Sequence, residues 1–187
     1  MATKDSLYQQ NDASLWNEIR IGNKQALGIL YGRYFDSLFS YGLMYTKKTE
    51  TVEDCIQDLF ISIFENKSIK PVCYVQAYLL RSLRNRILAD INNNITEELK
   101  EQAFDLAIEE DVLQHIFPHD DESLYLSKKI MNAFHSLNEN QKNILYLRYV
   151  KELSYNEIAE ILDINPQSAQ NTLSRTLIKL RDIVKKI

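Results

Sequence analysis

Six polar side chains crowd one stretch of this 187-residue chain: Gln167, Ser168, Gln170, Asn171, Ser174 and Arg175. They are amide, hydroxyl and guanidinium groups near the start of a predicted helix. Such groups can hydrogen-bond to base edges in the major groove, and a helix N-terminus favours phosphate. A second cluster, Arg81, Arg84, Asn85 and Arg86, follows Tyr74 and Tyr78 by one to two helical turns. Guanidinium groups neutralise phosphates and tyrosine rings can stack on unpaired bases, which suits single-stranded nucleic acid. A solvated arginine face over core tyrosines is the competing reading. A third feature is Ile61. At 100° per residue it falls in the middle of a polar helix face with Asp54, Gln57, Asp58 and Glu65 around it. That pattern reads as a small docking site or as a stray surface apolar residue.

Catalytic patterns are missing. His115 and His119 are four apart, but Pro118 interrupts a helix between them, and His135 lies on a predicted helix without ligating neighbours. Cys55 and Cys73 fit no metal spacing, and there is no Gly-rich phosphate loop. The reading is therefore no enzyme, no cofactor and no metal. A polar start (Met1 to Asp12) with no apolar core argues against a signal peptide. No apolar run is long enough to span a bilayer, so a cytoplasmic protein without membrane insertion is expected.

The elements that must carry these groups are helices. Four glycines and three prolines are too few to punctuate a turn-rich β architecture. Ser14 to Ile21 reads as a short helix, broken at Gly22, and Asn23 can cap the next. That second helix carries Ala26, Leu27, Leu30, Tyr31, Tyr34, Leu38, Tyr41 and Leu43 at helical spacing. A third starts at Thr49 or Thr51, with Val52, Ile56, Leu59, Phe60, Ile63 and Phe64 on its apolar face. Pro71 ends a loop, and a fourth helix is predicted from about Val72 to Asn92, with Val75, Tyr78, Leu79, Ser82, Leu83 and Leu88 inward.

Toward the C-terminus, Asn138 with Gln141 and Ser154 with Glu157 have capping-box spacing. Ile144, Leu145, Leu147 and Tyr149 form an apolar stripe between them. Asp163, Ile164 and Asn165 make a short turn that Ile164 is expected to plug. Asn165 and Pro166 then open the last helix, which has Ala169, Leu173, Leu177, Leu180 and Val184 inward. Ala159 is small where two helices must cross. The set predicts a helix-turn-helix; a generic helical hairpin is the alternative.

Charge divides the chain. The net formal charge is −4, but residues 96–126 carry −9, between blocks of +2 (14–95) and +4 (127–187). Periodicity fades in the acidic stretch, where repulsion between like charges favours an extended linker. The domain expectation is a polar tail over 1–13, a helical domain over 14–95, an acidic linker over 96–122 and a helix-turn-helix domain over 123–187. The fold class is all-α, with two helical domains.

With these residues in place, the chain resembles a sigma factor of the extracytoplasmic-function group, in the sigma-70 family. Asp54 to Glu65 looks like the region 2 helix that grips RNA polymerase, and Tyr78 to Asn85 like the helix that melts and reads the −10 element. Leu137 through Tyr149, Leu153 through Leu162, Ser174 to Thr176 and Leu180–Arg181 look like region 4. The resemblance implies a two-domain initiation factor that brings core RNA polymerase to selected promoters. Asp54, Gln57, Asp58, Ile61 and Glu65 would dock on the β′ clamp helices, and region 4 would meet the β flap. Tyr74, Arg81, Arg84, Asn85 and Arg86 would contact the −10 element. Gln167, Ser168, Gln170, Asn171, Ser174, Arg175 and Lys179 would read the −35 element. The acidic linker would thread channels lined by polymerase cations, and an anti-sigma factor would be a partner.

The chain departs from the family pattern at Ala89, where aspartate is usual, at Asn92–Asn94, and at Gln170, where a basic residue is common. These departures weaken direct DNA affinity and suit a factor that binds promoters within the polymerase complex. The alternatives are a sigma-like adaptor and a helix-turn-helix regulator, neither of which supports initiation itself.

Overall fold

The computed structural model describes residues 9–94 and 134–186. The chain divides into two compact units, residues 1–96 and 97–187. All regular structure among the described residues is helical. The acidic linker over 96–122, His115 and His119 lie outside the described residues, as does the beginning of the C-terminal block.

The first unit has four helices: α1 (Asp12–Arg20), α2 (Lys24–Gly42), α3 (Thr49–Glu65) and α4 (Val75–Asn94). Helix α1 starts two residues earlier than the apolar pattern suggests, because Asn11 caps it: its side chain accepts the Ser14 N–H at 2.9 Å. Asn23 caps α2 as expected, accepting from Gln25 and Ala26. Between them Gly22 has φ +91°, in the left-handed region that favours glycine. Asp12 ties α1 to α2 through an ion pair with Arg33 and a hydrogen bond from the Tyr34 hydroxyl at 2.5 Å.

The core combines Leu15, Trp16 and Ile19 with Leu30, Leu38, Tyr41, Ile56, Leu59, Leu79 and Leu83. On α4 the buried set also includes Ala77, Leu80, Ile87 and Ile91. Leu88 and Ser82, expected inward, are only half-buried. The helix begins at Val75 and not near Val72, with the Tyr74 carbonyl accepting the first helical bond, from Tyr78 at 3.0 Å. Burial in particular, helped by the carboxylates of Asp90, Asp58 and Asp54 and opposed by Arg86, pushes the Cys55 thiol up. Cys55 is half-buried on α3, and a thiol held up in this way carries less thiolate at a given pH.

At Gly42 the backbone of α2 lies against side chains of both α3 and α4. A Cβ there would lie 2.5 Å from Val52 Cγ1 and 3.1 Å from Ile87 Cδ1. Gly42→Ala gains little helix propensity at the last residue of α2, while its methyl overlaps a β-branched side chain. The expected result is a loss of about 1–3 kcal/mol, read as a lower urea midpoint.

The second unit contains α5 (Glu139–Leu145), which runs into a π-helical turn at Tyr146–Val150, then α6 (Tyr155–Leu162) and α7 (Pro166–Lys186). Both predicted capping boxes form. Asn138 accepts from Gln141 N–H at 2.9 Å and Gln141 returns the bond, and Ser154 and Glu157 do the same at the start of α6. Ser154→Ala should cost about 1 kcal/mol, visible as a lower thermal midpoint for this unit. Burial lowers the Lys142 ammonium, whose charge lies over the Phe134 ring at 5.7 Å.

Two expectations here are corrected. Tyr149 is 36% exposed, while Tyr146 is buried in its place. The cause is the π turn: Lys151 N–H bonds to the Tyr146 carbonyl, five residues back, at 3.1 Å, and the wider turn shifts the inward face. Ile164 does not plug the turn, being 38% exposed. The turn is closed by backbone. Asp163 takes the left-handed conformation (φ 57°), and the Ile164 N–H reaches the Ala159 carbonyl at 3.1 Å.

Candidate nucleic-acid interface

In α7, Ala169, Leu173 and Thr176 are buried, which fixes the rotation of the helix. Pro166 occupies the first helical position, and Asn165 accepts the Ser168 N–H at 2.7 Å. The opposite face then presents Gln167, Gln170, Asn171, Ser174 and Arg175 to solvent, with Ser168 half-buried beside them. Gln167 donates to the Asn171 amide oxygen at 3.1 Å, so two of the candidate base-reading groups are held as a pair. Lys179 is placed differently: its ammonium donates to the Ser136 carbonyl at 2.5 Å and joins α7 to the segment before α5. Leu177 and Leu180 are half-buried, and the side chain of Val184 lies outside the described residues.

Helix α6 is set across α7 by Ile158, Ala159 and Ile161, all buried. The turn before α6 is braced by Arg148, which donates to the Leu153 carbonyl at 2.8 Å and stacks its guanidinium over Tyr155 at 5.3 Å. Together α6, its three-residue turn and α7 have helix-turn-helix form.

In the first unit, Tyr74 is exposed and Tyr78, Arg81 and Asn85 continue from it at spacings of four, three and four. Tyr78, Arg81 and Asn85 share one face of α4, and Tyr74 immediately precedes the helix. Asn85 is exposed and Arg84 half-buried; the Arg84 guanidinium bonds to the Asn85 amide oxygen at 3.4 Å. Arg86 turns away from this face, donating to the Ser62 hydroxyl of α3 at 2.6 Å. The sequence pattern placed Arg86 with its neighbours because spacing alone does not reveal a bond to another helix.

The third candidate set is intact as a surface. Asp54, Gln57, Asp58, Ile61 and Glu65 all lie exposed along α3, and Ile61 is 53% exposed. The buried face of Val52, Ile56, Leu59, Phe60 and Ile63 forces that orientation.

Two residues that periodicity did not single out bear on the loop between α3 and α4. Trp16 Nε1 donates to the Lys70 carbonyl and Arg20 Nε to the Ile69 carbonyl, each at 2.9 Å. A lone tryptophan among apolar positions reads as core, and nothing local predicts a bond to a residue 54 positions away.

Residues 127–180 match the family described as sigma-70, region 4. The RNA polymerase sigma factor YlaC of Bacillus subtilis (strain 168) is 24% identical over 165 residues, covering 85% of this chain and 92% of the relative. The ECF RNA polymerase sigma factor SigM of the same organism is 21% identical over 156 residues, covering 81% and 91%. The chain resembles extracytoplasmic-function sigma factors. Two solved structures share the fold. CnrH in complex with the cytosolic domain of CnrY matches with a TM-score of 0.61 at 17% identity, over 94% of this chain and 97% of that one. RpoE of Bartonella quintana, in complex with the anti-sigma factor NepR, matches with a TM-score of 0.52 at 17% identity, over 83% and 94%. Among the described residues, no helix is long and apolar enough to cross a membrane, and no group of three His, Cys, Asp or Glu side chains could hold a metal ion.

Proposed function

We propose that this chain directs core RNA polymerase to selected promoters and helps open the duplex there. The observation that carries the reading is the joint presence of an exposed polar face on α7 in a helix-turn-helix and an exposed five-residue stripe on α3 centred on Ile61. A DNA-binding regulator would need the first and has no use for the second.

In this reading Ile61 seats between the β′ clamp helices while Asp54, Gln57, Asp58 and Glu65 meet polymerase cations around it. Tyr74, Arg81, Arg84 and Asn85 face the melted −10 strand, with arginines on phosphate and tyrosine against a base. Gln167, Ser168, Gln170, Asn171, Ser174 and Arg175 enter the major groove of the −35 element, and the second unit also meets the β flap. Arg86 and Lys179 must leave their present acceptors before either can reach a phosphate. The acidic segment over 96–122 follows cation-lined channels of the polymerase. An anti-sigma factor, the kind of partner named for the Bartonella relative, holds the chain inactive by covering one of these faces. The chain contributes no catalytic residue; the chemistry belongs to the polymerase.

The test is binding of labelled promoter duplexes, drawn from a randomised pool, by the chain with and without core polymerase. Sequence-selective binding that requires the polymerase is expected. Tight selective binding by the chain alone, with no affinity for the polymerase, would replace this reading with that of an ordinary regulator.

A further inference from the structure

We infer that Trp16 and Arg20 are positioning residues that set −10 selectivity by fixing the loop from Asn66 to Tyr74. The inference rests on the proposed role of Tyr74 and α4. The two donors sit one turn apart on α1, and they take consecutive carbonyls in the middle of the loop, Lys70 and Ile69. The near end of the loop is folded on itself: Asn66 accepts the Ser68 N–H through its side chain at 3.0 Å and the Ile69 N–H through its carbonyl at 3.1 Å. From Lys70 onward the backbone has few ways to anchor itself. Pro71 lacks an N–H, and Pro71, Cys73 and Tyr74 are exposed.

Trp16 also touches the far end. Its ring meets Tyr78, one turn into α4 from Tyr74, edge-on at 4.9 Å between centroids. At 1% exposure the indole is locked by the core, so its N–H holds the Lys70 carbonyl from a rigid base. The same side chain therefore fixes both the middle of the loop and the helix start that follows it. Between those two points lie Pro71 to Tyr74, the residues offered to a base. A side chain that must accept a flipped base with selectivity depends on supports of this kind.

Two variants separate positioning from packing. Trp16→Phe keeps an aromatic ring and removes the N–H. Arg20→Met keeps the stem of an exposed side chain and removes the donor, so it leaves the core intact. Each is assayed as the full chain with core polymerase, by run-off transcription from a promoter library randomised at the −10 and −35 elements. The expected result is a −10 base preference flattened by about threefold or more, the share an ordinary hydrogen bond can supply. The −35 preference and the polymerase affinity stay as in the wild type, and Arg20→Lys, which retains a donor, recovers most of the −10 preference. A wild-type −10 profile in both variants, or a loss uniform across all promoters, overturns the inference and leaves the proposed function standing. A wild-type chain that binds polymerase but shows no −10 preference overturns the reading of Tyr74, and the inference with it.

Discussion

Ile61→Glu is expected to weaken binding to core polymerase severely while leaving the fold untouched. The side chain lies exposed on α3, and it is the one large apolar group in a stripe of Asp54, Gln57, Asp58 and Glu65. An apolar residue at the centre of a polar ring has the layout of an interface hot spot, where truncation alone costs about 2 kcal/mol or more. Glutamate adds a charge that must be desolvated against the partner, so the dissociation constant should rise by at least about 30-fold. Thermal unfolding should not move, because surface changes away from packed or bonded groups stay within about 0.5 kcal/mol. Fluorescence titration against core polymerase, beside a melting curve, measures both. A melting curve that collapses with the binding would mean that Ile61 supports the fold and does not define a docking site.

The second large effect belongs to α7. Replacing Gln170 and Asn171 together with alanine should erase most discrimination at the −35 element and leave −10 preference alone. A good bidentate contact between an amide and a base is worth about 1–3 kcal/mol of discrimination. The two substitutions should not add simply, because Asn171 also accepts the Gln167 amide at 3.1 Å and its removal frees a third reading group. Arg175→Ala should behave otherwise, relaxing preference at a single −35 position, since a guanidinium in the major groove pairs with one guanine edge. Promoter selection with the reconstituted polymerase distinguishes the two patterns.

What the sequence made legible was the local part of this structure. The exposure of Ile61 follows from the angular arithmetic of one helix. Both capping boxes follow from residue types three positions apart, and the face of α7 follows from where Ala169 and Leu173 must point. These features depend on neighbours within a turn or two, which is the range over which periodicity carries information. The features that were not legible depend on distant partners or on backbone register. The π turn at Tyr146–Val150 moves the buried position from Tyr149 to Tyr146 without any change in composition. Backbone hydrogen bonding, and not the Ile164 side chain, closes the turn before α7. Charge and spacing group Arg86 with the −10 cluster, and the resemblance puts Lys179 in the −35 set, yet each is bonded within its own unit, to Ser62 and to the Ser136 carbonyl. The support of the Asn66–Tyr74 loop by Trp16 and Arg20 is the clearest case, since the donors and acceptors are about fifty residues apart.

The most direct measurement is run-off transcription from a single promoter recovered by selection, with core polymerase alone and with the chain added. A full-length transcript that appears only with the chain, and is lost with Ile61→Glu, is the predicted result. A chain that binds the polymerase tightly and yet produces no transcript from any selected promoter would contradict the initiation role and identify an adaptor in its place.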